Sequence, residues 1–226
     1  HGVSEIEIFS LGRSVQMEII KNTAFDPLTT SVLTATWPAP ASAMPHGVPS
    51  VADRLTDGPH IGLSFMRVNG YGAECERTYF LAPPTAQMKE MFATMRAASE
   101  RAFALLRPGV ACADVDEAAN GFLRAEGLGE YLLHRTGHGF GLGNHEGPWV
   151  AAGSKDVLAP NMLVSIEPGI YVPGVGGFRH SDTVLITEDG YESLTHSPVT
   201  LDELVILDRR QLARLKGAIV RRAVGV

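Results

Sequence analysis

Histidines in two glycine-rich segments are the first residues of this sequence that could take part in catalysis or metal binding. His46 lies in a Pro/Gly-rich loop, and the segment 135–146 contains four glycines around His138 and His145. Glycines beside a histidine allow the backbone to approach a ligand closely, so that the imidazole can lie at the floor of a site. The loop around His46 fits a simple turn as well as a catalytic role.

Carboxylates form a second pattern. Glu74 and Glu76 are two residues apart, which places them on one face of a strand. Glu167 directly follows the largely apolar run 163–166, and a buried carboxylate is costly unless it is paired or binds a metal. For Glu74 and Glu76, a solvated strand face with Arg77 as ion-pair partner is equally open. A histidine with carboxylates from other strands suits a divalent metal or acid–base catalysis, but the spacing does not show that they meet.

Four helices are predicted to surround these residues. Capping signals predict one helix that begins at Ser4 and another that runs from Asp114 to Gly127. Apolar residues at steps of three and four predict helices over 85–106 and, at the end of the chain, over 207–222. These helices supply apolar faces that need a sheet or other helices to cover them.

Strand signals lie between the helices. The segments 60–66 and 71–81 flank an Asn-Gly pair, which indicates a tight hairpin. The segments 162–172 and 182–187 are apolar and β-branched, and a glycine-rich turn separates them. Helices and strand pairs are mixed without regular βαβ alternation, so we predict an α+β fold with an antiparallel sheet. No change of composition marks a domain boundary, which predicts a single domain over residues 1–226.

Composition excludes several classes of function. The 226 residues are 45% hydrophobic and 19% charged, with a net charge of −6, which argues against nucleic-acid and anionic-membrane partners. No apolar run approaches the ~20 residues of a membrane span. The two cysteines suit a reducing compartment, so we predict a cytoplasmic protein. The sequence opens with His1 and not with Met, and we expect it to be part of a longer protein.

Several motifs occur together over about residues 4–206. They are Met44-Pro45-His46, Asn69-Gly70-Tyr71, Glu76-Arg77-Thr78, Gly137-His138-Gly139-Phe140-Gly141, His145-Glu146, Glu167-Pro168-Gly169 and Gly177-Phe178-Arg179. In these motifs the chain resembles the pita-bread family of creatinase, prolidase, Xaa-Pro aminopeptidase and methionine aminopeptidase. The resemblance implies a pseudo-symmetric α+β domain, with a curved antiparallel sheet that carries the site and helices outside it. It also implies a homodimer, and an N-terminal domain of the larger members that this chain lacks.

The resemblance implies a reduced metal site. Metallopeptidases of the family hold two metals with two Asp, one His and two Glu. The matching positions here are Leu63 (or Ser64, if the hairpin is one residue shorter), Glu74, His138, Glu167 and Ser181. Because two of the five lack a carboxylate or imidazole, we expect at most one divalent ion (Mn, Co, Zn or Fe), on Glu74, His138 and Glu167.

The metal-independent creatinase offers a second comparison. By resemblance to it, Glu76 and Glu167 would bind a cationic substrate group, and His46 would act as general base and acid. His138 and His145 would orient the scissile carbon and the attacking water. We therefore expect a hydrolase of a C–N bond in a small amidino or peptide-like substrate.

Two other functions remain open from the sequence. A pita-bread domain that has lost metal ligands can serve as a non-catalytic module that binds a peptide or protein, which Leu63 and Ser181 would favour. An active Xaa-Pro peptidase with a single metal ion is the other alternative. Retention of His46, His138 and Glu167 favours an enzyme, because a binding module has no need of acid–base groups.

Overall fold

The computed structural model of the protein describes residues 2–45, 47–48, 50 and 52–207. His46 and all but the first residue of the predicted helix 207–222 lie outside the described residues. Among the helices that are described, none combines the length and apolar character that crossing a membrane requires.

Helices occur at the beginning, in the middle and at the end of the described chain. They are α1 (Glu5–Asn22), α2 (Ala86–Phe103), α3 (Cys112–Asp116), α4 (Phe122–Ala125) and α5 (Leu201–Leu204), with a π-helical turn (Glu117–Gly121) joining α3 to α4. The predicted capping box of Ser4 and Glu7 is present at the start of α1. Thr85 caps α2, because its side chain accepts a hydrogen bond from the backbone N–H of Met88. Local capping chemistry therefore sets both helix starts.

The helix predicted from Asp114 to Gly127 begins earlier than the sequence indicated. The helix starts at Cys112 and not after Asp114, because the carbonyl oxygen of Asp156 accepts a hydrogen bond from the backbone N–H of Cys112 at 2.9 Å. This distant carbonyl satisfies an N–H group that a side-chain cap would otherwise serve. The helical stretch ends before Gly127, whose φ of 78° is the left-handed conformation common after helices.

Ten strands are present in the described residues. They are β1 (Ser31–Trp37), β2 (His60–Val68), β3 (Tyr71–Tyr79), β4 (Gly137–Gly139), β5 (Glu146–Val150), β6 (Leu163–Ile166), β7 (Gly169–Val172), β8 (Gly176–Arg179), β9 (Ser181–Ile186) and β10 (Tyr191–Ser193). Eight of them form one antiparallel sheet in the order β1-β2-β3-β9-β6-β4-β5, with β10 paired to β9. Strands β7 and β8 form a separate antiparallel hairpin. The predicted α+β class with an antiparallel sheet is confirmed.

The two predicted hairpins differ in outcome. Strands β2 and β3 are joined at Asn69 and Gly70, which both have positive φ, as the Asn-Gly pair predicts. The predicted strand 162–172 is wrong, because it breaks at Pro168 into β6 and β7. Strand β6 pairs with β9, whereas β7 pairs with β8. Proline has no N–H to donate to a strand ladder, so the run cannot continue through it.

One face of the central strands builds the apolar core. Val164 and Ile166 of β6 and Val184 and Ile186 of β9 are fully buried and lie in one cluster with Phe92 of α2. Because side chains alternate along a strand, the residues between them must point away from the helices.

The opposite face of the same strands is polar. Ser165 pairs with Thr183 in the β6–β9 ladder, and Glu76 pairs with Ser181 in the β3–β9 ladder. Residues directly opposite each other share a face, so these side chains lie together with Glu74. The sheet thus separates an apolar core from a buried polar floor, which we call the site floor.

Two glycines allow strand β4 to approach its neighbours closely. A Cβ atom at Gly137 would clash with the carbonyl oxygen of Ser165, and one at Gly139 would clash with the carbonyl oxygen of Gly147. The sequence suggested that these glycines approach a ligand, whereas in the structure they approach the neighbouring strands. This packing holds His138 on the site floor between β5 and β6.

We expect Gly137→Ala to lower the free energy of unfolding by about 1–3 kcal/mol, because the added methyl group meets backbone that cannot move aside cheaply. Urea denaturation of both proteins measures this difference. Gly190→Ala is the matched control, since its Cβ atom would have Thr187 Oγ1 as nearest neighbour at 3.9 Å. Equal losses of stability in the two variants would contradict the close packing of β4.

Candidate active site

Three side chains converge on the site floor from three strands. Glu74 lies on β3, His138 on β4, and Glu167 directly after β6. His138 Nε2 is 3.3 Å from Glu167 Oε1 and 3.8 Å from Glu74 Oε1. One ligand atom from each residue lies within 4.8 Å of the others. The structure therefore brings together the three residues that the sequence predicts as metal ligands.

The orientation of His138 leaves one ring nitrogen for a ligand. The carbonyl oxygen of Gly139 lies 3.0 Å from Nδ1 and can only accept, so Nδ1 carries the hydrogen in the neutral ring. Ser165 Oγ accepts a hydrogen bond from the backbone N–H of His138 at 2.9 Å, which fixes the strand at this point. Nε2 is buried and lies at ion-pair distance from Glu167, and in the neutral ring it points its lone pair toward the two carboxylates.

This donor set fits one divalent cation. A neutral imidazole nitrogen and two carboxylates are ligands that Zn²⁺, Mn²⁺, Fe²⁺ and Co²⁺ accept. A cation among them would accept the lone pair of His138 Nε2 and compensate two carboxylates that otherwise repel each other. Three protein ligands also leave coordination positions open, as catalytic sites require.

The positions of a second metal ion lack ligands. Leu63 lies directly opposite Glu76 in the β2–β3 ladder and so shares its face, whereas Ser64 lies opposite Cys75 on the other face. The register therefore decides between the two residues in favour of Leu63. Ser181 is buried and donates a hydrogen bond to Glu74 Oε1 at 2.8 Å. A leucine and a serine thus stand where a dinuclear site needs carboxylates.

Glu76 has an internal partner. Arg179 places Nη2 2.6 Å from Glu76 Oε1 and Nε 2.5 Å from Glu76 Oε2, and both side chains are buried. Although burial alone would lower the pKa of Arg179, the Glu76 carboxylate raises it above its ordinary value, so the guanidinium stays charged. The role predicted for Glu76, binding a cationic substrate group, stays a prediction, and such a group would have to share the carboxylate with Arg179.

Sequence reasoning did not assign a role to Arg179, although its motif was recognised. The signal was available, because an arginine inside a short, glycine-rich buried strand needs a carboxylate partner. The solvated strand face considered for Glu74 and Glu76 does not occur. Arg77 points to the other face of β3, where it forms an ion pair with Asp182 at 2.6 Å.

A hydrogen-bond chain continues from Arg179 to the edge of the site. Arg179 Nη1 donates to the hydroxyl of Tyr171 at 3.0 Å, so the Tyr171 hydrogen is available to His134 Nε2, which lies at 2.6 Å. His134 Nδ1 in turn donates to the carbonyl oxygen of Arg135 at 2.6 Å. His134 is thus a half-buried member of the hydrogen-bond chain that orients Arg179 and Glu76.

The other histidines divide between the site and the core. The His145 ring is exposed, and its centroid lies 4.1 Å from that of His138. His46 lies outside the described residues, but the carbonyl oxygen of the preceding Pro45 accepts a hydrogen bond from Arg179 at 3.4 Å. His180 points to the opposite face of the sheet, against the ring of Phe92.

Electrostatics make the two metal-ligand carboxylates unequal. Burial, together with the charges of Glu76 and Glu167, raises the pKa of Glu74 to about 8. Burial would raise the pKa of Glu167 too, but the close imidazole of His138 and the basic groups of His134 and Arg179 outweigh it and lower this pKa to about 2. Burial would lower the pKa of His138, but Glu167 outweighs this effect and raises it.

The raised pKa of Glu74 predicts the pH dependence of stability in the metal-free protein. Between the ordinary value of 4.5 and about 8, the folded protein binds a proton at Glu74 that the unfolded chain releases. The free energy of unfolding therefore falls as pH rises through this interval. We expect Glu74→Gln to flatten this fall and to exceed the wild type in stability at the upper end, in urea denaturation with EDTA present.

The control for this prediction is Glu90→Gln, a change at an exposed position of α2. This variant should keep the slope of the wild type. A Glu74→Gln protein with an unchanged slope would contradict the raised pKa.

Comparisons with known proteins agree with this fold. The family model described as "Metallopeptidase family M24" matches residues 1–188 of the chain. The chain is 44% identical over 138 residues to the probable dipeptidase PepE of Mycobacterium tuberculosis, a match that covers 61% of this chain and 36% of that relative.

Solved structures of the pita-bread fold are similar over most of the chain. The dipeptidase PepE from Mycobacterium ulcerans matches with a TM-score of 0.77 and 32% identity, covering 91% of this chain and 53% of that one. The Xaa-Pro dipeptidase from Bacillus anthracis matches with a TM-score of 0.74 and 32% identity, covering 88% and 55%. The chain thus spans about half, or less, of the length of these relatives. Because this family model matches most of its residues, the chain belongs to metallopeptidase family M24.

Proposed function

We propose that the protein hydrolyses the peptide bond of a short peptide at a site for one divalent metal ion. The observation that carries this proposal is the convergence of Glu74, His138 and Glu167 within 4.8 Å around the buried Nε2 atom of His138. The peptidase names of the relatives support the choice of reaction.

The charges on the site floor support a divalent ion. Arg179 compensates the charge of Glu76, which leaves the two carboxylates of Glu74 and Glu167 to be neutralised. Two negative charges match one divalent cation, and burial makes this match more important than it would be in water. When bound, such an ion polarises a carbonyl group and lowers the pKa of a coordinated water.

The residues of the chain supply the remaining parts of the reaction. Hydrolysis adds water across the C–N bond, so one proton must reach the leaving amine. His145 is exposed beside His138, and an imidazole can carry that proton at neutral pH. His46 is a second candidate for this role from the sequence, and its role stays a prediction.

A peptide substrate is better supported than an amidino compound. An amidino substrate would need a free carboxylate at Glu76, and both of its oxygens lie within 2.6 Å of Arg179 nitrogens. A peptide needs no such partner, since the reacting group is a neutral amide. The creatinase-like substrate is therefore the less favoured alternative.

A non-catalytic module that binds peptides is the second candidate function. Leu63 and Ser181 favour it, because they remove two ligands from the site of a dinuclear peptidase. The two functions predict different results for a substitution of His138. A binding module would keep its affinity for a peptide, whereas the enzyme would lose turnover.

A metal and activity assay tests the proposed function. We expect protein purified without chelator to bind one Mn²⁺ or Co²⁺ per chain and to hydrolyse the dipeptide Ala-Pro. EDTA should abolish the activity. His138→Ala and Glu167→Gln should lose the ion. They should reduce kcat/KM by more than the ~10–100-fold that is typical when a residue hydrogen-bonded to a metal ligand is replaced.

The control is His196→Ala, since His196 is exposed outside the site. This variant should keep both the ion and the activity. Activity that survives EDTA would contradict the metal-dependent reaction. Binding of Ala-Pro without turnover, unaffected by His138→Ala, would favour the binding module.

The cellular location and the oligomeric state of the protein are proposed from its sequence. We propose a cytoplasmic homodimer, as the sequence suggests. Cys75 and Cys112 are free thiols in the structure, which agrees with a reducing compartment. The homodimer stays a prediction from the family resemblance.

A further inference from the structure

A cavity of about 420 Å³ lies between α2 and the strands β9 and β10, and we call it the α2 cavity. Arg77 of β3 and Asp182 of β9 line its base. Their neighbours along the strands, Glu76 and Ser181, belong to the site floor. Because side chains alternate along a strand, the α2 cavity lies on the opposite face of the sheet from the proposed active site. Its volume is sufficient for a small organic molecule.

Arg96 of α2 brings a positive charge to this cavity. Its side chain is only 18% exposed, and its Nη1 atom is buried without a hydrogen-bond partner among the described residues. In the same part of the chain, Glu100 forms the ion pair with it, at 3.9 Å and from a side chain that is 72% exposed. Water screens a pair of this kind strongly. The Arg96 guanidinium is therefore only partly compensated.

Arg77 lines the same cavity but is well compensated. Its guanidinium donates hydrogen bonds to four backbone carbonyl oxygens and forms an ion pair with Asp182 at 2.6 Å. Burial lowers the pKa of Arg96, and the charges of Glu100 and Asp182 oppose this effect only in part. A buried donor without a partner lowers stability, so its presence at a cavity is explained if the group serves a ligand.

The charges and walls of the α2 cavity define the class of that ligand. The planar guanidinium of Arg96 suits a carboxylate. Asp182 and Glu100 also line the cavity, so a doubly charged anion such as phosphate would be repelled more strongly than a single carboxylate. Phe103 and Tyr191 form an aromatic wall, with ring centroids 5.5 Å apart, that favours an apolar or aromatic group.

We propose that the α2 cavity binds a small monocarboxylate with an apolar or aromatic body, whose carboxylate pairs with Arg96 while its body packs against Phe103 and Tyr191. The cavity is separate from the proposed active site, so this inference does not depend on the peptidase function. Apolar amino acids and simple organic acids share this chemistry, and the experiment distinguishes between them.

Calorimetric titration of the full chain with phenylacetate tests the proposal, with EDTA present so that no metal ion binds the acid. We expect one molecule to bind per chain. Phenylacetamide has nearly the same shape without the charge and should bind at least about 10-fold more weakly. Inorganic phosphate should bind more weakly than phenylacetate. Either result with L-phenylalanine supports the site: binding includes amino acids in the ligand class, and its absence restricts the class to acids without an ammonium group.

Substitutions at Arg96 test its role. Arg96→Met should weaken phenylacetate binding by about 10- to 100-fold and leave phenylacetamide within about twofold, because only the acid uses the charge. Arg96→Lys should retain part of the preference for the acid. Without ligand, Arg96→Met should be at least as stable as the wild type in urea denaturation, because it removes a partly compensated buried charge. A purely structural arginine would show a loss of stability instead.

Two controls separate the cavity from the rest of the protein. Arg101→Gln also removes an arginine from α2, but Arg101 stacks over the ring of Phe122 at 4.2 Å, outside the cavity. His138→Ala changes the site floor on the other face of the sheet. We expect both variants to bind phenylacetate as the wild type does.

Equal binding of phenylacetate and phenylacetamide, or binding that Arg96→Met leaves unchanged, would overturn the proposal. Absence of binding for both phenylacetate and L-phenylalanine would also overturn it, as would binding that is lost in His138→Ala. Tighter binding of phosphate would overturn the assignment to monocarboxylates. If Arg96→Met does not fold, Ala104→Leu decides, since Ala104 lines the cavity and the larger side chain should block the acid without removing a charge.

Discussion

Three glutamates lie on one face of the sheet, Glu74 and Glu76 buried and Glu167 nearly so, and they impose the constraint on which the site depends. A buried charge without a partner costs several kcal/mol, so each carboxylate must be protonated, paired or bound to a cation. Arg179 pairs with Glu76, and His138 approaches Glu167 and Glu74. The remaining negative charge would favour a divalent ion at the site, and burial together with the charges of Glu76 and Glu167 raises the pKa of Glu74.

The antiparallel sheet makes this arrangement compatible with a stable fold. Strands β6 and β9 give every second side chain to the apolar core and the others to the site floor. The core therefore fixes the register of the strands, and the register fixes which polar residues meet. A slip of one residue would exchange the two faces and bring Ser64 and Cys75 onto the floor in place of Leu63 and Glu76.

The departure from a dinuclear site has a simple structural form. Ser181 occupies its place on β9 and donates to Glu74, so a short neutral side chain fills the space of a carboxylate without disturbing the strands. Leu63 occupies the corresponding place on β2 with an apolar side chain. The fold of the family thus persists with three candidate ligands, because β-pairing and core packing depend on the backbone and on the opposite face.

Local patterns in the sequence determined the features that depend on neighbouring residues. The Asn-Gly hairpin, the capping box at Ser4 and the shared face of Glu74 and Glu76 follow from turn chemistry and from the two-residue period of a strand. The break of the predicted strand at Pro168 was also readable, since proline lacks a donor.

Only the tertiary structure decided which distant groups meet. The Glu76–Arg179 pair joins residues 103 positions apart in the chain, and Arg77 finds Asp182 across the other face. A charge can pair with any opposite charge that the fold brings near, so the choice of partner depends on strand register and not on local spacing. For the same reason, the position of Trp149 opposite His138 appeared only once β4 and β5 were paired.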